Sequence, residues 1–261
     1  MLYSLDRYSL LMALLASACT MSCDASQLPA AVKKVLDGHA KQLQIILRTA
    51  HDQPHLRMGA HVHEVPWLPG YLIKYGTERF YNAQKVESLI RTHNLHLLGV
   101  ANKYLYHVPG RPEKIADKNY LVIVKKVVPD ANAQVLNLEQ VKQLCEIALL
   151  AHHYDLHTAN YILSGGKIVI IDTDKGAMPS EKTVKKFERD RLTRGVRVLS
   201  VAGMNIFNDP LAKIAQGVCP LHNHYDDAAK AYVLRLVAQR NAFYLTHHAK
   251  RSALLKFLRL A

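Results

Sequence analysis

Eight residues, His153-Tyr154-Asp155-Leu156-His157-Thr158-Ala159-Asn160, form a polar stretch between two segments that must both be buried. Before them, Leu138 to about Leu150 places Leu138, Val141, Leu144, Cys145 and Ala148 on one side at helical spacing. After them, Tyr161-Ile162-Leu163 and Lys167-Ile168-Val169-Ile170-Ile171 flank a Ser164-Gly165-Gly166 turn and read as a hairpin ending on Asp172. A hairpin brings its two ends together, so Asn160 and Asp172 are set side by side although twelve positions separate them. The chain therefore has to fold so that an amide, a loop carboxylate and a strand-end carboxylate meet next to an apolar core.

The remaining pattern predicts an α+β chain. Residues 28–49 have Leu28, Ala31, Val32, Val35, Leu36, Leu43, Ile46 and Leu47 at three- and four-residue spacing, an amphipathic helix that ends near Asp52-Gln53-Pro54. Prolines and glycines break 55–76 around one short strand, Tyr71-Leu72-Ile73-Lys74-Tyr75. Asn82 is placed to cap a helix over about 83–95, and strands over 103–108 and 120–128 flank the turn Pro109-Gly110-Arg111-Pro112. After Pro179 the pattern predicts helices over 180–202, 224–240 and 242–259. Strands and helices mix first and helices alone follow, which predicts a small α+β lobe and then a mostly helical one.

The segment from His153 to Asp172 resembles the catalytic core of the protein-kinase-like superfamily. Its loop pattern is H-x-D-L-x-x-x-N, and its metal-binding Asp follows a short hairpin. The resemblance covers about residues 55–205. It implies a two-lobed fold with an abbreviated β-containing N-lobe over 28–128 and a short, mostly helical C-lobe over 129–261. It also implies phosphoryl transfer from ATP with Mg²⁺, in which Asp155 is the catalytic carboxylate, His153 holds the loop, and Asn160 and Asp172 are the metal ligands. Lys74 in Tyr-Leu-Ile-Lys-Tyr is similar to the strand lysine that contacts nucleotide phosphates, and Glu87 on the next helix would be its ion-pair partner; Glu78 is a rival that falls before that helix. Val127-Val128-Pro129 falls where the two lobes join and line an adenine pocket.

The departures sort the resemblance further. No G-x-G-x-x-G loop precedes Lys74, and Asp172-Thr173-Asp174 stands where Asp-Phe-Gly would. Those residues and His157 bring the chain closer to the aminoglycoside and small-molecule phosphotransferase branch. Tyr154 replaces the Arg that reads activation-loop phosphorylation, so no phospho-switch is expected. Without a glycine-rich loop, the second reading is a kinase-like binding module that has lost catalysis.

Composition sets the outer bounds. With 49% of 261 residues hydrophobic, disordered and fibrous classes are excluded. A formal charge of +13, from 34 Lys and Arg against 21 Asp and Glu, draws the chain to anions. The nucleotide triphosphate is the first candidate, an acidic partner the second, and nucleic acid the third, since no aromatic-interleaved stripe or helix-turn-helix pattern supports it. A basic adaptor for nucleic acid or anionic surfaces is accordingly the third reading. Lys182, Lys185, Lys186, Arg189, Arg191, Arg194 and Arg197 spread over three sides of one expected helix, as a solvated helix would place them.

Four Cys are too few for a disulfide scaffold. Neither His61-Val62-His63-Glu64, His222-Asn223-His224 nor His247-His248 has further ligands at metal-site spacing. At the N-terminus, Arg7, the apolar run from Leu10 to Leu15 and Ala16-Ser17-Ala18 before Cys19 read as a signal peptide over 1–18, or as a lipoprotein signal that lipidates Cys19. No stretch reaches the roughly 20 apolar residues of a transmembrane helix. Export of a nucleotide-using protein implies delivery into another cytosol or loss of catalysis; if the segment is a retained helix, the protein is cytoplasmic. The phosphate acceptor, protein or small molecule, has no readable code.

Overall fold

The structure is a computed structural model that describes residues 27–52, 62–114, 116–131, 135–174, 176–186, 210–218, 224–240, 242 and 246. The leader over 1–18, Cys19, Cys23, Cys219, His61, His222, His247, His248 and most of the basic stretch after Lys186 lie outside these residues.

The chain is α+β, as expected, with two sheets. Four strands, β1 (Val62–His63), β2 (Tyr71–Lys74), β4 (Lys103–His107) and β5 (Tyr120–Lys125), form an antiparallel sheet in the order β1-β2-β5-β4. Strand pairing sets Ile73, Ile123 and Tyr104 in one row, and Lys74, Val122 and Leu105 in the next. Paired residues share a face, so the two rows lie on opposite faces. The first face, with Leu121 and Tyr106, packs on Leu36, Leu43 and Leu47. The second carries Leu72, Val122, Val124 and Leu105 together with two lysines, Lys74 and Lys103.

The helix expected over 28–49 is two helices, α1 (Ala30–Gly38) and α2 (Ala40–Asp52), broken at His39. His39 leaves helical geometry at φ −113°, ψ 22°, and its ring stacks 4.1 Å from that of Trp67. Gly38 lowers the cost of the break, because glycine stabilises a helix least of the residues other than proline. The apolar stripe survives the break and covers the sheet.

Helix α3 (Glu78–Thr92) starts well before the expected residue 83, and Asn82 lies inside it instead of capping it. Its true entry is Thr77, whose N–H and Oγ1 both donate to Asp117 Oδ1, at 2.8 and 2.7 Å. A partner forty positions away leaves no local signal. Strand β3 (Leu98–Val100) follows and runs parallel to β7 (Lys167–Ile170), which pairs antiparallel with β6 (Tyr161–Ser164) in the second sheet, β3-β7-β6.

Helix α4 (Leu138–Ala151) begins with a capping box. Asn137 Oδ1 accepts from Gln140 N–H, and Gln140 Oε1 accepts from Asn137 N–H, both at 3.0 Å. The stretch 203–223, read as a connection, contains the short helix α5 (Ala212–Gln216), too brief to show a period. Residues 181–186 and 227–240 are helical as expected. The largest core cluster joins Val86 of α3, Leu98 of β3, Leu144 and Ile147 of α4, Ile168 and Ile170 of β7, and Tyr225, Val233 and Val237. Residues on both sides of position 128 therefore share one core. No helix among the described residues is long and apolar enough to cross a membrane.

Candidate functional site

The polar stretch after α4 is held open by its own backbone and by His153. His152 takes a left-handed conformation that ends α4, and His153, fully buried, turns inward. Its Nδ1 accepts from Asp155 N–H at 3.3 Å, so its Nε2 carries the proton and donates to the carbonyl of Asp172 at 2.9 Å. Burial lowers the pKa of this imidazole, in keeping with a neutral ring whose two nitrogens have different jobs. His153 thus ties the loop to the backbone of Asp172.

Asp155 and Asn160 close the loop on each other. The Asn160 side-chain N–H₂ donates to the Asp155 carbonyl at 2.7 Å and to Asp155 Oδ2 at 3.0 Å. The other Asp155 oxygen lies 3.6 Å from His157 Nε2. The Asn160 carbonyl accepts N–H groups of Ile171 and Asp172 at 2.9 and 3.5 Å, which is how the hairpin returns Asp172 to the loop. Lys74 completes the group from the other sheet, with Nζ 4.0 Å from Asp172 Oδ1. Asp155, Asn160, Asp172, His153 and Lys74 are therefore brought together around one place.

Glu87 is not part of it. Lys74 is 8% exposed and its ion-pair partner among the described residues is Asp172; no ion pair joins it to Glu87. The reason is helix phase. Because α3 starts at Glu78, its buried positions are Arg79, Phe80, Ala83 and Val86, and Glu87 is turned away to a half-buried position. Glu78, the rival carboxylate, stands at the first turn of α3, and burial raises its pKa.

Arg79 takes the central place instead. Its guanidinium donates to Asp172 Oδ1 at 2.6 Å and to Asp174 Oδ2 at 3.3 Å, while Nε holds the Tyr75 carbonyl at 3.1 Å. Two further contacts from α3 and β4 fix the same segment. Asn82 donates to the Thr173 carbonyl at 2.9 Å, and Lys103 Nζ donates to Thr173 Oγ1 at 2.5 Å, which in turn donates to the Arg79 carbonyl at 2.7 Å. The fully buried Thr173 is thus a polar hub.

The buried charges shift one another. Burial, then the field of Lys74, pushes Lys103 down to about 7; burial also lowers Lys74, opposed by Asp172. Arg79, Asn82, Thr173, Asp174 and Lys103 were not singled out from the sequence as site residues. The available signals were the three-residue spacing of Arg79 and Asn82, which shares a helix face, and the alternate acids Asp172 and Asp174.

An apolar cluster adjoins these charges. Leu72, Leu105, Val127, Val169 and Ile171 are only partly buried against Phe80, Ala101, Val122 and Val124. It combines the lysine strand, the segment after β5 and the hairpin. Among the described residues no group of three or more His, Cys, Asp and Glu side chains is placed to hold a metal ion. The oxygen donors present are the second carboxylate oxygen of Asp172 and the side-chain oxygen of Asn160, freed because its amide nitrogen serves Asp155. No family model, curated protein or solved structure matches the chain.

Proposed function

We propose that the chain is a divergent, two-lobed kinase-like phosphotransferase that uses Mg²⁺ and ATP. One observation carries this reading: Lys74 at the end of a strand, and Asp155, Asn160 and Asp172 from the loop and hairpin, converge beside a cluster of partly buried apolar side chains. A structural role alone gives no reason to gather a buried lysine, two carboxylates and an amide at one place open to solvent on one side. The partly buried apolar side chains suit a flat base, Lys74 suits a phosphate, and hard oxygen donors suit Mg²⁺.

In this reading Asp172 and Asn160 would hold Mg²⁺, which would supply charge neutralisation at the transferring phosphoryl group. Asp155, with one oxygen fixed by Asn160, accepts the proton of an acceptor hydroxyl. The hydroxyl oxygen bonds to the γ-phosphorus, the bond from that phosphorus to the β,γ-bridging oxygen breaks, and its electron pair leaves on ADP. His153 fixes the loop through the Asp172 carbonyl and does not touch the reacting atoms.

The test is thermal stabilisation by ATP with and without Mg²⁺, in the wild-type chain and in Asp172→Asn. Stabilisation that needs Mg²⁺ and is lost in the variant is expected; no response to any nucleotide overturns the reading. A second reading, a nucleotide-binding module without catalysis, is favoured by the Arg79 guanidinium, which already takes one of the two carboxylate oxygens of Asp172. It requires stabilisation by ATP that is indifferent to Mg²⁺ and no phosphoryl transfer, a result that displaces the phosphotransferase reading.

A further inference from the structure

Beside Asp155 lies a pocket of about 240 Å³. Its wall is built from three separate places: His157 and Thr158 of the polar loop, Lys213 and Gln216 of α5, and His224 and Tyr225 before the helix over 227–240. Each is anchored. His157 Nδ1 accepts from Ala159 N–H at 3.2 Å, which leaves the protonated Nε2 toward Asp155. Tyr225 is 2% exposed, and its hydroxyl donates to the Ile214 carbonyl at 3.1 Å. Leu136 N–H donates to the His224 carbonyl at 2.8 Å and ties that stretch to the start of α4.

Its chemistry has one sign. The described lining residues include a lysine, two imidazoles, two hydroxyls and an amide, and no carboxylate. A cationic acceptor would meet Lys213 in the pocket wall and find an acid, Asp155, only beyond His157, which costs affinity in a partly desolvated pocket. An anionic group instead finds a fixed positive charge and several hydrogen-bond donors. The volume lies below the range of drug-sized ligands, so the occupant is small. His157 belongs both to this wall and to the surroundings of the Asp155 carboxylate, so a molecule seated here has the catalytic acid as its neighbour.

We infer that this pocket is the acceptor site and that the acceptor is a small hydroxyl-bearing anion, a carboxylate or a phosphate ester. The inference rests on the phosphotransferase reading for the word acceptor, and on the pocket alone for the anion. Transfer then joins the γ-phosphoryl group to the acceptor hydroxyl, with ADP leaving and the hydroxyl proton passing to Asp155.

The experiment measures thermal stabilisation of the full chain, at constant ionic strength, by glycerol 3-phosphate as the anionic probe, glycerol as the neutral one and kanamycin as the cationic one. ATP with Mg²⁺ is measured in parallel. Glycerol 3-phosphate is expected to stabilise the wild type, and its apparent affinity should fall about tenfold in Lys213→Met and in Gln216→Glu. Gln216 is exposed, so its variant tests the charge even if Lys213→Met folds poorly. No response to glycerol 3-phosphate, a response in both variants as strong as in the wild type, or stabilisation by kanamycin overturns the anionic site. An anion response that depends on Lys213, with no response to ATP, leaves the pocket standing and removes the kinase reading. An ATP response without the anion response does the reverse.

Discussion

Arg79 shows how a single side chain sets the balance of charge at this site. It is 6% exposed and neutralises two carboxylates, of which Asp174 is itself buried. Removing one partner of a buried pair leaves the other unpaired, so Arg79→Met should lower the unfolding free energy by about 3–5 kcal/mol in urea titration. A loss under about 1 kcal/mol, the range of solvated surface pairs, would show that water already screens the cluster. Lys103 acts in the opposite direction. Its folded pKa, about 7, lies below the ordinary value of 10.5, so the unfolded chain binds more protons between those limits. Stability therefore rises with pH across that window, by at most about 1.4 kcal/mol per unit from this group. The groups facing Lys103 are Lys74, Arg79, Asp172 and Asp174, and Lys103→Met removes only its share. The variant should be more stable than the wild type near pH 6, with the difference shrinking toward pH 10. Melting temperatures of the two proteins across that range decide it. Asp155, Asn160 and Asp172 were legible in the sequence because their spacing is local and the hairpin is self-contained. Glu87 misled because which residue faces inward depends on where α3 starts, and Thr77 and Asp117 fix that start through the fold.

At the scale of elements, helix ends were readable where their partners are near in sequence and unreadable where they are distant. Helix α4 carries its own capping box, and Asn137→Ala should cost about 1 kcal/mol, while Asn137→Ser should keep most of the stability. Equal losses for both would show that Gln140, and not the cap, holds the turn. The hairpin between β6 and β7 is tied to the segment after β5 by Asp130, whose carboxylate accepts the N–H groups of Gly165 and Gly166 at 2.8 and 3.0 Å. Both glycines have positive φ, which the Gly-Gly turn allows without strain. The short helix α5 shows a different kind of hidden constraint. A Cβ at Gly217 would stand 2.7 Å from the buried ring of Tyr225, so Gly217→Ala should cost about 1–3 kcal/mol by overpacking and should also disturb the pocket beside Asp155. Nothing in a lone glycine after a short apolar run announces that contact.

Across the whole molecule, strand order mixed with helix-only sequence suggested two lobes, yet β3 joins them. It belongs to the first half by position and to the second sheet by pairing, with Leu98 opposite Ile168 and Val100 opposite Ile170. Three residues without alternation leave too weak a pattern to read, and parallel pairing across seventy positions leaves none. The consequence concerns cooperativity. Trp67, the single tryptophan, packs in the cluster between the first sheet and α1–α2, so its fluorescence reports the first half. Far-ultraviolet circular dichroism is weighted toward the helices of both halves. If β3, Val86 and Leu95 bind the halves into one core, both signals should follow the same denaturation curve. Ile168, fully buried on β7, provides the sharper version. Ile168→Ala removes packing about 100 positions from Trp67 and should cost about 2–5 kcal/mol. A shared core requires the Trp67 transition to shift by as much as the dichroism does. If the dichroism midpoint falls and the Trp67 midpoint stays in place, the halves unfold separately, and the site between Lys74 and Asp172 would be a junction of two independent units.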